Sequence, residues 1–202
     1  MYQIQNLIFD IGNVLLTFNP RPFMRDLFSD PDRADACFRL TIQSPEWREL
    51  DSGRLSVEQA AQIFKQREPS FAPDVDLFFQ RWLEMFQPID ETIRLLPLLR
   101  RRGHKLYVLS NFIRESFTAL RPALSFLDHF DGVVVSYEAG MVKPDREIYE
   151  FLLSKFHLAP KECIFIDDME ANVRGAQNAG VNTILFESPR QLIEQLEIIG
   201  IL

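Results

Sequence analysis

The sequence predicts an α/β fold, a doubly wound, Rossmann-like parallel sheet core carrying an inserted all-helical cap. Three observations lead there. Short apolar runs recur and end on polar residues, helical patterns separate most of these runs, and roughly residues 18–88 hold no comparable run and turn helical in their apolar spacing.

In chain order the runs are Leu7-Ile8-Phe9 before Asp10, Leu106 to Leu109 before Ser110, Val133 to Val135 before Ser136, Cys163 to Ile166 before Asp167, and Thr183 to Phe186 before Glu187. Segments this short, rich in Val, Ile and Phe and apolar at successive positions, suit strands covered on both faces, as in a parallel sheet. The intervening segments read as helices. Ile93 to Arg102 stops at Gly103, Arg146 to Lys155 is amphipathic, and Ala171 to Ala179 stops at Gly180, where a left-handed C-terminal cap is expected. Residues 1–17 and 89–202 are assigned to the core and 18–88 to the cap. Within the cap, Ser56 and Gln59 form a capping box for a helix through Gln66. After Asp74, a predicted N-cap, Val75, Phe78, Phe79, Trp82, Leu83 and Phe86 share one face.

Composition narrows the function. An apolar share of 47% and a charged share of 25% match a soluble globular chain rather than a membrane protein. A net charge of -7 leaves no basic footprint, so nucleic acid is not an expected partner. Cys37 and Cys163 match no metal-ligand spacing and read as free thiols in a reducing compartment. The chain enters an apolar run almost at once without a basic leader, which makes the cytoplasm the expected location; a monomer or weak homodimer is the expected state.

The strand ends carry the chemistry. Asp10, Ser110-Asn111, Lys143 and Asp167-Asp168 stand at or just beyond carboxyl ends of predicted strands, where open α/β sheets bind ligands. Three acids gathered at one edge would raise one another's pKa unless a cation sat among them, and Mg2+ suits an all-oxygen set. Asp10 could then attack phosphorus as a nucleophile, with Lys143 countering charge on the phosphoryl oxygens and Ser110 and the Asn111 amide holding another. Pro144 should restrain Lys143 to an extended backbone and occupy the first position of the next helix; a structural salt bridge from Lys143 to the Asp167 pair is the bland alternative. If a helix has begun by Asp168, Asn172 shares its face and can steady that acid.

In this order the motifs IFDIGNVLL, YVLSN, GMVKPDREIY and IFIDDMEANVRGAQNAG resemble those of the haloacid dehalogenase-like hydrolase superfamily. The subgroup it resembles comprises small capped phosphatases acting on sugar phosphates, including α-glucose-1-phosphate phosphatases, whose first motif also has Gly at this place. The resemblance implies a nucleophilic Asp10, metal ligation by Asp10, the Gly12 carbonyl, Asp167 and Asp168, and phosphate contacts from Ser110, Asn111 and Lys143. One position departs from the common pattern. Most phosphatases of the superfamily place a second Asp, a general acid and base, where this chain has Gly12, which should slow turnover by about 10²- to 10⁴-fold unless another group substitutes or the leaving group needs little protonation.

Sugar 1-phosphates fit that constraint, because an anomeric oxygen leaves more readily than an ordinary alcohol. The cap segment from Trp47 and Arg48 through Gly53-Arg54 has the make-up of a sugar-binding loop and, equally, of a solvated inter-helix turn; Asp51 or Glu49 could replace the missing acid. The expectation is therefore a Mg2+-dependent phosphatase of a small phosphorylated metabolite. Its rivals are a metal-free 2-haloacid dehalogenase and a phosphosugar-binding regulator that has lost turnover.

Overall fold

The computed structural model describes residues 4–202. Five strands, β1 (Asn6–Phe9), β2 (Lys105–Ser110), β3 (Gly132–Val135), β4 (Cys163–Asp167) and β5 (Asn182–Leu185), pair in parallel in the spatial order β3-β2-β1-β4-β5. Each coincides with one of the five apolar runs. Both faces of the sheet are covered, which is why the runs do not alternate. Leu7, Phe9, Leu106 and Val108 pack on one side with Leu96, Leu99 and Leu192, while Ile8, Tyr107, Leu109 and Phe165 pack on the other with Ile148, Leu152 and Ala176.

Between β1 and β2 lie α1 (Pro20–Leu27), α2 (Pro31–Leu40), α3 (Pro45–Asp51), α4 (Val57–Arg67) and α5 (Ala72–Arg81). Proline opens the first three, where its fixed φ helps and its missing N–H costs nothing. These helices enclose their own core, in which Met24, Cys37, Leu50, Phe64, Val75, Phe78 and Trp82 are buried together with Ile113 from the sheet domain. The capping box at Ser56 and Gln59 is present. Asp74, by contrast, is not an N-cap. Its helix starts two residues earlier, and the buried carboxylate is instead gripped by Arg33, whose Nε donates at 3.0 Å and whose Nη2 makes a second, shorter bond.

The two connections to this insertion run side by side. Thr17 N donates to the Gln87 carbonyl at 2.8 Å, Ile89 N to the Leu15 carbonyl at 2.9 Å, and Thr17 Oγ1 to the Met85 carbonyl at 2.6 Å, with Leu16 bridging antiparallel to Pro88.

The rest of the core supplies α6 (Asp90–Ile93), α7 (Leu95–Arg101), α8 (Arg114–Leu120), α9 (Ser136–Ala139), α10 (Arg146–Lys155), α11 (Glu170–Asn178) and α12 (Pro189–Ile198). The single helix expected from Ile93 to Arg102 is divided at Arg94. Pro97 explains the break, because it has no N–H for the Ile93 carbonyl and its ring would crowd that oxygen. Gly103 and Gly180 follow their helices at φ of 91° and 84°, as their terminating role requires.

Candidate active site

The chain runs outward from β1 through β2 to β3, then returns to place β4 on the other side of β1. That reversal opens a crevice at the carboxyl ends of β1 and β4, the usual ligand position in an open α/β sheet. Phe9 pairs in register with Ile166, and Asp10 N donates to the Ile166 carbonyl at 2.9 Å, so Asp10 and Asp167 emerge as neighbours.

Lys143 lies between them. Its Nζ is 2.9 Å from Asp10 Oδ1 and 2.6 Å from Asp167 Oδ2, and all three residues are buried, at 3%, 6% and 0% exposure. Charges this deeply desolvated persist only when hydrogen-bonded. Ile11 N donates to Asp10 Oδ1 at 2.7 Å, Met169 N to Asp167 Oδ1 at 2.8 Å, and Asn172 Nδ2 reaches both Asp167 oxygens at 3.0 and 3.1 Å. Burial works to lower the Lys143 pKa, but Asp10 and Asp167 together hold it above its ordinary value. Burial also pushes the Asp10 carboxyl up; Lys143 opposes that and the Asp167 charge adds to it.

Asp168 completes the acid set. Asn13 Nδ2 donates to its Oδ2 at 2.9 Å, while Asn13 Oδ1 accepts from Phe18 N at 2.8 Å. Asn13 sits at φ 53°, a conformation that Asn tolerates better than most residues, and this turns its amide across the crevice. Burial raises the Asp168 pKa, against the Asn13 hydrogen bond. Asp10, Asp167 and Asp168 each offer a carboxylate oxygen, all within 4.8 Å of one another. One lysine leaves this buried set negative, and its hard oxygen donors fit a small divalent cation.

Several predicted contacts differ in detail. Asn172 holds Asp167 rather than Asp168, because α11 begins only at Glu170 and Asp168 lies outside the helix. Pro144 does not open α10; Asp145 takes the N-cap position, and the Lys143-Pro144 peptide is cis. The Asn111 side chain is engaged with the Lys143 backbone, accepting from its N at 2.8 Å and donating to its carbonyl at 3.0 Å, so it braces the lysine. Ser110 is buried beside Asp10, behind the cavity wall rather than among its lining residues. Gly175, on α11, lets that helix approach: an added Cβ would stand 2.6 Å from the Pro144 carbonyl oxygen and 2.9 Å from the Tyr149 ring.

A cavity of about 320 Å³ rises from the acids toward the cap. Asp10, Gly12, Asn111, Lys143 and Asp168 line its floor, and Phe18, Ile42, Trp47, Trp82, Phe86, Phe112, Ile113 and Met169 line much of the remainder. Trp47 is therefore at the cavity, its ring edge-on to Trp82 at 6.3 Å between centroids. Arg48 is not. Its exposed guanidinium pairs with Asp145 outside, and Glu49 pairs with Arg54 at 2.6 Å. Asp51 also faces the cavity. Asn13 was not among the expected site residues; it directly follows Gly12 in the first motif, where a turn-forming residue after a strand end was the available signal.

Residues 4–180 match the haloacid dehalogenase-like hydrolase family model. The chain belongs to that family. A sesquiterpene phosphatase, astK, of Aspergillus oryzae is 28% identical over 194 residues, spanning 96% of this chain and 95% of its own. The D-ribitol-5-phosphate phosphatase of Bacteroides thetaiotaomicron is likewise 28% identical, over 97% of this chain and 98% of its own. Among solved structures, the wild-type HAD family enzyme bt-2542 of the same bacterium, in complex with magnesium and inorganic phosphate, superposes with a TM-score of 0.72 at 21% identity, covering 91% of this chain and 94% of that one. This hydrolase has no helix, among its described residues, long and apolar enough to cross a membrane.

Proposed function

We propose that the chain is a Mg2+-dependent phosphatase that hydrolyses a small phosphorylated metabolite through an aspartyl-phosphate on Asp10. The observation that carries this is the three-carboxylate cluster at the β1/β4 crevice with Lys143 buried against two of its members. A dehalogenating Asp needs no cation beside it, whereas this acid set calls for one. Both full-length relatives are phosphatases by name, which supports the same assignment.

In this mechanism Asp10 Oδ attacks phosphorus as the ester oxygen departs, and water then attacks the same phosphorus to release phosphate and restore the carboxylate. Ile11 N, by its bond to Asp10 Oδ1, fixes which oxygen is engaged and which is free. Lys143, braced by Asn111, supplies positive charge in a desolvated site where preorganised charge acts strongly. Asp10, Asp167 and Asp168, with the Gly12 carbonyl as a further candidate, would hold the magnesium, which when bound neutralises phosphate charge and keeps these carboxylates ionised.

The identity of the esterified alcohol divides two ways. Sugar 1-phosphates follow from the missing acid at Gly12, and the ribitol-phosphate relative supports a polyol body. The aromatic and aliphatic side chains above the carboxylates favour an alcohol with an apolar body, as does the sesquiterpene phosphatase relative. We favour the apolar alcohol, because a sugar would leave most of its hydroxyls facing Trp47, Phe86, Phe112 and Ile113 without partners. A panel of prenyl, aryl and sugar monophosphates, assayed for phosphate release with Mg2+ and with chelator, tests both levels. Activity undiminished by chelator overturns the metal-dependent phosphatase, and higher kcat/KM on sugar 1-phosphates than on prenyl or aryl esters overturns the apolar preference.

A further inference from the structure

Four titratable residues line the cavity: Asp10, Asp51, Lys143 and Asp168. Three are committed. Asp10 is the attacking group, Lys143 is held between two carboxylates, and Asp168 is bound by Asn13 in the acid cluster. Asp51 alone lacks an assignment, and its surroundings are unlike those of other acids in the same stretch. Glu46 is paired with Arg67, Glu49 with Arg54, and Asp145 across the way with Arg48. Among the described residues no side chain pairs with the Asp51 carboxyl. It ends α3, so the partial negative charge of that helix terminus adds to the nearby Asp10 charge in favouring the protonated form. Burial pushes the carboxyl up to about 7, with Lys143 opposing and Asp10 reinforcing.

The backbone beneath it is fastened to the core. Ser136 Oγ donates to the Asp51 carbonyl at 2.5 Å and also accepts from Phe112 N at 2.9 Å. Two residues on, Gly53 adopts φ 72° and packs so closely on Tyr137 that an added Cβ would be 2.7 Å from the Tyr137 carbonyl oxygen. Ser136 and Tyr137 open α9 at the end of β3, so the same sheet edge that bears the nucleophile also registers Asp51.

We infer that Asp51 is the general acid and base of the reaction, a cap-borne substitute for the carboxylate that Gly12 lacks. As the Asp10 oxygen bonds to phosphorus, the phosphorus–ester bond breaks, its electron pair goes to the ester oxygen, and that oxygen takes the proton of Asp51. The resulting Asp51 carboxylate then removes a proton from water as the water oxygen bonds to phosphorus, and the Asp10–phosphorus bond breaks to regenerate both residues. The sum is ester plus water giving alcohol plus phosphate. Because an acid is then present, a good leaving group is no longer required, and the case for 1-phosphates built on Gly12 loses its basis.

The inference rests on the phosphatase assignment, and leaving-group dependence separates the two. Wild type and Asp51→Asn are compared with Mg2+ on p-nitrophenyl phosphate, whose leaving group needs little protonation, and on 2-phenylethyl phosphate, whose alkoxide must be protonated. In the variant, kcat/KM on the alkyl ester should fall about 10²- to 10⁴-fold while that on the aryl ester stays within about 10-fold. Intact-mass measurement of quenched aryl reactions should find more phosphorylated chain in the variant, because its second step has lost its base. Gly12→Asp added to Asp51→Asn should recover alkyl turnover, since a Cβ at Gly12 meets nothing nearer than 3.9 Å. Equal losses on both esters that Gly12→Asp leaves unrepaired, or no loss on either, overturn the role of Asp51. Wild-type protein releasing phosphate from neither ester would overturn the phosphatase assignment and this role with it.

Discussion

The sheet edge and the cap meet at one cavity but are built on opposite principles. At the edge, Asp10, Lys143 and Asp167 are buried charges, and each is held by backbone N–H groups, amides or its ionic partners. In the cap the interior is mainly hydrocarbon and aromatic, with Phe78 near Phe23, Trp47, Phe79 and Trp82, while pairs such as Glu46–Arg67 and Lys65–Asp76 lie toward solvent. A desolvated ionic network stripped of its compensating cation is left with uncompensated buried charge, whereas an apolar core accepts many substitutions of similar volume. The nucleophile, its lysine and the acid cluster are thus concentrated where change is least tolerated, and Asp51 is the one reacting group proposed to act from the cap. Under the proposed function, selection of the alcohol falls mainly to the part that tolerates change best.

The most severe break in this contrast should come from Asp10→Asn. Phosphate release is expected to fall at least about 10⁴-fold, as for removal of other covalent nucleophiles, while the urea midpoint stays near or above that of wild type. Retained velocity would refute the division of labour at its root. Next in size, Lys143→Gln leaves two buried carboxylates without their shared cation and should cost about 3–5 kcal/mol in urea unfolding with chelator present. Adding Mg2+ should recover part of that loss by neutralising the same acids, and an identical deficit with and without the ion would separate Lys143 from the metal site.

The seam between the two regions is expected to be less sensitive. Gly53→Ala forces a side chain into a left-handed conformation and against the Tyr137 carbonyl, at a cost of about 1–3 kcal/mol. Hydrogen exchange should then quicken around Asp51 and Tyr137 while β1 and β4 remain protected; uniform quickening would show that cap and core unfold as one body. The smallest effect concerns the thiols. Cys37 and Cys163 are buried, and burial pushes them up to about 12 and about 11, so both should react with a disulfide reagent far more slowly than free cysteine at neutral pH. Faster reaction of Cys37 than of Cys163 would report opening of the cap alone.

What was legible beforehand followed from local chemistry. Two-sided burial made the five strands visible as continuous apolar runs, and their polar endings located Asp10, Asp167 and Asp168. The helix starting at Ser56 announced itself by its own cap. What escaped depends on contacts far apart in the chain. Nothing near Arg48 indicates that it meets Asp145, nothing near Asp74 indicates that it binds Arg33, and the clamp of Asn111 on Lys143 joins residues from different loops. Trp47 and Arg48 are adjacent in sequence, yet one lines the cavity and the other faces solvent, a choice made by the docking of α3 rather than by either residue's type.

The paired connections at Leu15–Thr17 and Gln87–Ile89 have a further consequence. Because chain enters and leaves the insertion at adjacent, hydrogen-bonded positions, the sheet domain experiences it as little more than a hairpin stem. Any compact module whose own ends lie one strand spacing apart could be grafted onto that stem without stretching β1 or β2. The architecture is in this sense a socket, able to accept a new lid that brings its own proton donor while the acid cluster and lysine beneath stay untouched.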